Sequence, residues 1–300
     1  MIALAAIGLL VLLAGLDRLG AWWLNRDARA TAEAFFGRSP GKVAVRERLI
    51  LIRPDMREDS PIALVLHGWG IMHPTAYAGL IEATVAAGYT VAFPLYQTRF
   101  FPHRVVDEVR GLLDRNLPLW RDGTELIVGH SAGASTAVDL LVEEGSRLAP
   151  RAVFLLSPGD GSDPQGHVLA DFLRLHWDEH TSPLPSLPNP RPVVVVLSGA
   201  RDTVSGQWVA GRIASYLRTL DPAWPVSQGV IADLHACDTH FWPLGGDSDY
   251  RLPWLTQLFT HSSPFGDCAP GWPLDRIDRA FWQRMFTLAS PRVVAAAATP

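Results

Sequence analysis

The chain has 300 residues, enough for one large α/β domain or two small ones, and its 48% hydrophobic content supplies a sizeable core. Its 26 basic and 30 acidic residues leave a net charge of −4, which gives no case for a nucleic-acid partner. Two cysteines, Cys237 and Cys268, cannot make a zinc site by themselves and leave either two thiols or one disulfide, so the redox compartment stays open.

Ile2 to Leu16 is uncharged and apolar, and after Asp17 and Arg18 the apolar pattern resumes to Leu24 with Trp22 and Trp23. Fifteen helical residues reach about 22 Å, short of a ~30 Å hydrocarbon core, whereas the whole of 1–24 spans it with the tryptophans at the interface. The expectation is a membrane anchor. A cleaved signal peptide with Ala28-Arg29-Ala30 as its site, and hence secretion, is one alternative; an apolar helix packed on the domain is the other. Arg18, Arg26 and Arg29 all follow the run, which by the positive-inside rule points the rest of the chain to the cytoplasmic side.

Ser39-Pro40-Gly41 reads as a linker, Leu49 to Ile52 as a strand and Pro54 to Pro61 as a polar turn. Ile62 to Leu66 is a second buried strand that runs into His67-Gly68-Trp69-Gly70. Thr75 to Ala87 is predicted helical with Gly88 at its end, Tyr89 to Phe93 is a strand, and Arg104 to Leu117 is a helix. Between the last two, Tyr96, Phe100 and Phe101 either line an acyl pocket or pack in the core.

Leu126 to Val128 is a short apolar strand followed at once by Gly129-His130-Ser131-Ala132-Gly133, and from Ala132 to Val142 the pattern turns helical. A serine between glycines at a strand-to-helix turn is the context of a nucleophile elbow, with Ser131 Oγ at the carboxyl end of a central strand and free helix N–H groups behind it. A strand ending in His-Gly some sixty residues earlier has a matching use: one backbone N–H from its loop and one from the residue after the nucleophile hold an oxyanion. Trp69 and Ala132 are assigned to those two amides.

Ala152 to Leu156 is the next strand. The stretch from Ser157 to Pro192 holds seven prolines, with one candidate helix from Val168 to Trp177. Connections this long in a compact domain are usually functional. His176-Trp177-Asp178-Glu179-His180 fits the pattern of a zinc hydrolase, although no third ligand is evident and Pro183 and Pro185 break the helix soon after. Val193 to Leu197, Gln207 to Leu220 and Val226 to Ala232 read as strand, helix and strand; Tyr250 to Thr260 and Leu274 to Leu288 are helical, and Ala295 to Pro300 is a tail.

Taken together, the His-Gly-Trp-Gly loop, the serine elbow and the later acid and histidine resemble the α/β-hydrolase superfamily over roughly residues 45–260. The resemblance implies a mostly parallel central sheet with helices on both faces, residues 38–290 as the hydrolase domain, and 158–192 as a lid or cap insertion. Residues 1–37 remain an N-terminal apolar segment and 291–300 a tail. It also implies an acid in the turn after Val193 to Leu197: Gly199 and Asp202 match the superfamily's Gly-x-x-Asp turn, while Thr203 and Val204 come one position early. Asp160 is the alternative acid. The catalytic histidine falls in the loop after Ala232, where Asp238 to Phe241 gives the superfamily's His-Phe context, so His240 is expected ahead of His235.

The resulting expectation is a serine hydrolase of the carboxylesterase or lipase type. Ser131 attacks a carbonyl carbon, His240 carries the proton, Asp202 orients His240, and Trp69 and Ala132 hold the oxyanion. The substrate class is a hydrophobic small-molecule ester, with no cofactor and no metal. The alternatives are a non-catalytic binding module of the same fold and a zinc hydrolase through His176 and His180.

Overall fold

The computed structural model describes residues 26, 28–37, 43–53, 60–68, 73–96, 105–116, 124–159, 190–200, 202, 206–231 and 243. The expected anchor at 1–24, residues 160–189 of the expected insertion at 158–192, the tail, both cysteines, Phe100, Phe101, His176 and His180 lie outside these residues. Among the described residues, no helix is long and apolar enough to cross a membrane.

Among the described residues, eight strands form one sheet: β1 (Val43–Arg46), β2 (Leu49–Ile52), β3 (Ile62–Leu66), β4 (Thr90–Pro94), β5 (Leu126–His130), β6 (Ala152–Leu156), β7 (Val193–Gly199) and β8 (Val226–Ile231). Their order is β1-β2-β4-β3-β5-β6-β7-β8. β1 pairs with β2 and β2 with β4 in antiparallel fashion; every other pairing is parallel. The predicted mostly parallel sheet is therefore present.

Each strand divides its side chains between two apolar layers, as period-2 geometry requires. Ile50, Ile52, Ala63, Val65, Val91, Phe93, Leu126, Val128, Phe154 and Leu156 face one layer. Leu49, Leu51, Leu64, Leu66, Ala92, Ile127, Val153, Leu155, Val194 and Val196 face the other. Both faces being covered is why the central strands read in sequence as unbroken apolar runs rather than alternating ones.

The first layer is closed by α1 (residues 28–36), a turn of 3₁₀ helix over Pro74–Tyr77, and α2 (Ala78–Ala86). In α1, Ala28, Ala32 and Phe36 recur at i, i+4 and i+8 and are all buried in this layer. The packed domain thus reaches back to Ala28. The second layer is closed by α3 (Val105–Arg115), α4 (Ala132–Leu148) and α5 (Gly206–Leu220). Outside that layer Arg110 of α3 forms ion pairs with Glu143 and Glu144 of α4, and Arg147 pairs with Asp114.

Several elements differ from the sequence expectation. α1 was not expected, and Pro74–Tyr77 is a turn of 3₁₀ helix where an α-helix was expected to start at Thr75. α4 continues to Leu148, six residues past Val142, because Leu148 is itself fully buried in the second layer. β1 was not expected at all: it is a partly exposed edge strand joined to β2 by Glu47-Arg48, with Glu47 at φ 52° and no glycine or asparagine at the turn.

Candidate active site

Ser131 stands between β5 and α4 with φ 54° and ψ −123°. A side chain rarely adopts this backbone, and holding it there costs roughly 1–3 kcal/mol. The surroundings over-determine it. The Ser131 N–H donates to the Leu156 carbonyl at 3.0 Å, and the Ser131 carbonyl accepts from Ala134 N–H at 2.9 Å and Ser135 N–H at 3.3 Å. The chain is thus tied to the neighbouring strand on one side and to the first turn of α4 on the other.

The two flanking glycines are required by contact rather than by turn conformation. A β-carbon on Gly129 would stand 2.4 Å from the Gly133 carbonyl oxygen, and one on Gly133 would stand 2.4 Å from the Leu66 oxygen and 2.5 Å from the His67 oxygen. Both distances are too short for any side chain, so the Gly-x-Ser-x-Gly spacing follows from helix α4 starting directly against the end of β3.

Two further backbone segments close on the serine. A β-carbon on Gly68, just past β3, would lie 3.1 Å from Ser131 Cβ and 3.0 Å from His130 Nδ1. One on Gly159, past β6, would lie 3.4 Å from Ser131 Oγ and 3.7 Å from the Ala132 nitrogen. Ser135 Oγ donates to the Gly159 carbonyl and holds that segment against α4. Ala132, the residue after the serine, is the first of α4, so its N–H has no partner within the helix.

The stem of the loop after β3 is tied by side chains. Gly68 N–H donates to Tyr77 Oη at 2.8 Å, and Tyr77 Oη shares a 2.9 Å hydrogen bond with His130 Nδ1. His67 Nδ1 donates to the Gly68 carbonyl at 2.9 Å, and Tyr96 Oη donates to the His67 carbonyl. The His67 and Tyr96 rings stack, with centroids 3.8 Å apart and planes 9° apart, and Phe93 lies 5.6 Å away. Burial lowers the His67 pKa from 6.5 to about 4, so the ring is neutral at pH 7. The same burial pushes the Tyr96 hydroxyl up. Of the two roles left open for Tyr96, packing is the one observed: the side chain is fully buried.

Of the expected site residues, Ser131, Ala132 and Asp202 are described. Asp202 is 8% exposed and its N–H donates to the Gly199 carbonyl at 3.2 Å, in the turn that leaves β7. β7 is separated from β5 by β6 alone, and the three are parallel. Ser131 and Asp202 therefore emerge from the same, carboxyl, edge of the sheet. β8 is parallel to β7 and ends at Ile231 on that edge, directly before the histidine loop. Trp69, His235, His240 and the alternative acid Asp160 lie outside the described residues. Among the described residues, no group of three or more His, Cys, Asp or Glu side chains is arranged to hold a metal.

Sequence reasoning missed Tyr77 and its bond to His130. The two are 53 positions apart, and the only local signal is that His130, between two apolar strands, needs a buried partner.

Neither a protein-family model nor a curated protein matches the chain. Solved structures to which it is similar include a sugar hydrolase from Lactococcus lactis, at 15% identity over 82% of this chain and 98% of that one, with a TM-score of 0.48. An α/β hydrolase enzyme from a Medee basin deep-sea metagenome library is 18% identical over 66% and 80% of the two chains, TM-score 0.46. The Bacillus cereus carboxylesterase is 14% identical over 68% and 88%, TM-score 0.42. With an antiparallel start, parallel strands from β4 onward, helices on both faces and a serine at the β5–α4 turn, the chain has the mostly parallel α/β architecture that its sequence predicts.

Proposed function

We propose that the protein is a serine hydrolase that cleaves a hydrophobic ester through an acyl-enzyme on Ser131, in the manner of a carboxylesterase or lipase. The observation that carries this reading is the backbone of Ser131, a non-glycine residue at φ 54° on a turn between a central strand and a helix N-terminus. Strained backbone clusters at functional sites, and a serine so held directly before a helix leaves the first N–H of that helix, Ala132, without an intrahelical partner beside it.

In this mechanism Ser131 Oγ attacks the carbonyl carbon while His240 takes its proton, and Asp202 holds the imidazole in the tautomer that can accept it. The carbonyl oxygen, now an anion, is held by the N–H groups of Ala132 and Trp69. Gly68 N–H is already committed to Tyr77, which favours the amide that follows it as the second donor. His240 then protonates the leaving alcohol, and water repeats the sequence on the acyl-enzyme to release the acid. The site calls on no cofactor.

A panel of esters of increasing acyl length, hydrolysed by the wild type and by Ser131→Ala, tests the reading. Turnover that depends on Ser131 and rises with chain length supports it; equal turnover by both proteins removes it. The apolar run at 2–24 supports a location at a membrane. Full-length protein that fractionates as soluble, uncleaved and without detergent contradicts that location. A truncation for the comparison should end before Ala28, which is buried in the core.

A further inference from the structure

We propose that Tyr77 is a positioning residue for the nucleophile, holding the Gly68 stem and the Ser131 turn at a fixed spacing, an inference that rests on the serine-hydrolase reading of Ser131. Tyr77 is fully buried, yet its hydroxyl meets two groups of the candidate site at once: Gly68 N–H at 2.8 Å and His130 Nδ1 at 2.9 Å. His130 is the residue immediately before the nucleophile, and Gly68 is the residue whose backbone abuts Ser131 Cβ. Tyr77 therefore bridges the two chain segments that meet at Ser131. The Tyr77 and His130 rings meet edge to face, with centroids 5.7 Å apart and planes at 66°, which fixes the bridge sideways as well.

The Gly68 carbonyl is taken by His67 Nδ1 at 2.9 Å. With Gly68 N–H held by Tyr77 and Gly68 C=O held by His67, both polar groups of this glycine are fixed, and Tyr96 fixes the His67 carbonyl one peptide earlier. A glycine is otherwise the residue best able to swing. A nucleophile displaced by a fraction of an ångström attacks more slowly without binding its substrate less well, so loosening this stem should slow the chemical step and leave ground-state binding alone.

The test compares wild type, Tyr77→Phe and Thr84→Val at 25 °C, each shown to be folded by circular dichroism. Thr84 lies in α2, buried, and its hydroxyl donates to the Leu80 carbonyl, so its variant reports loss of a buried hydroxyl away from the site. Two quantities are read: kcat and KM for p-nitrophenyl acetate, and the rate constant for phosphonylation of Ser131 by a fluorophosphonate. Tyr77→Phe is expected to lower kcat about 10- to 100-fold, with KM within about threefold, and to slow phosphonylation by a similar factor. Thr84→Val should keep both rates. A folded Tyr77→Phe with both rates within about twofold of wild type overturns the proposal. So does an equal loss in Thr84→Val, which would make the effect one of general stability. Wild type that is not labelled at Ser131 overturns the serine-hydrolase reading itself, and this inference with it. If Tyr77→Phe does not fold, Tyr96→Phe carries the same comparison one peptide away, and unchanged rates there overturn the positioning account.

Discussion

The carbonyl oxygen of Leu66 lies 2.4 Å from the point where a β-carbon on Gly133 would stand. β3 and α4 are thus in backbone contact at the nucleophile, and the second glycine of the elbow is what lets the helix start there. In an exposed helix, replacing glycine by alanine gains roughly 0.5–1 kcal/mol. Here the added methyl meets two carbonyl oxygens that belong to the sheet and cannot yield as a flexible side chain would.

Gly133→Ala is accordingly expected to destabilise the protein by about 2–3 kcal/mol and to impair any activity that depends on Ser131, since β3 and the elbow must move apart. Urea unfolding measures the first effect directly. A midpoint equal to or above that of wild type would show that the two elements are less tightly apposed than described.

Ser131 itself is expected to trade stability for its position. Ser131→Gly and Ser131→Ala both remove Oγ, but only glycine relieves a φ of 54°. The glycine variant should therefore be the more stable of the two by about 1 kcal/mol, with both inactive. Thermal unfolding of the pair, under one set of conditions, checks the order. An alanine variant at least as stable as the glycine one would mean that the elbow is not strained.

His67 gives the fold a pH dependence of known sign. Its pKa is lowered by burial from 6.5 to about 4, so between those values the unfolded chain binds a proton that the folded one does not. Stability is present in full above pH 6.5 and is lost as pH falls toward 4, by about 3 kcal/mol at roughly 1.4 kcal/mol per pH unit. His67→Asn, which keeps a donor near the Gly68 carbonyl but does not titrate, should flatten this part of the profile. Denaturation midpoints of both proteins at pH 7 and pH 4.5 decide: equal losses on acidification would assign the dependence to other groups.

The framework of this fold is legible in the sequence because its strands are buried on both faces. Ile62–Leu66 and Ala152–Leu156 are uninterrupted apolar runs, and their observed limits coincide with the expected ones. The helix ending at Gly88 was equally readable, since that glycine sits at φ 94° where other residues are strained. β1 was not readable: it is short, partly exposed and has no turn residue beside it. The turns themselves were legible where their logic is local, at Gly129 to Gly133 and from Gly199 to Asp202. The bonds from Tyr77 to His130 and from Tyr96 to the His67 carbonyl join positions 53 and 29 apart, and nothing in the neighbourhood of either tyrosine announces a polar partner.

The choice between the two loop histidines is expected to fall on His240. Both follow β8 in the chain, His235 four and His240 nine residues after Ile231, and Phe241 and Trp242, aromatics suited to pin an imidazole, follow His240. His240→Ala should lose activity as severely as Ser131→Ala, by about 10⁴- to 10⁶-fold in kcat, and the double variant should be hardly worse, because the two act as one unit. His235→Ala should keep most of its activity. An inactive, folded His235→Ala beside an active His240→Ala would move the base to His235.

The most direct measurement is the location of a covalent adduct. Wild-type protein treated with a fluorophosphonate and digested should carry the phosphonyl group on the peptide containing Ser131, and Ser131→Ala, folded under the same conditions, should carry none. Labelling that survives unchanged in Ser131→Ala, or a folded wild type that is never labelled, would contradict a nucleophilic serine at the β5–α4 turn.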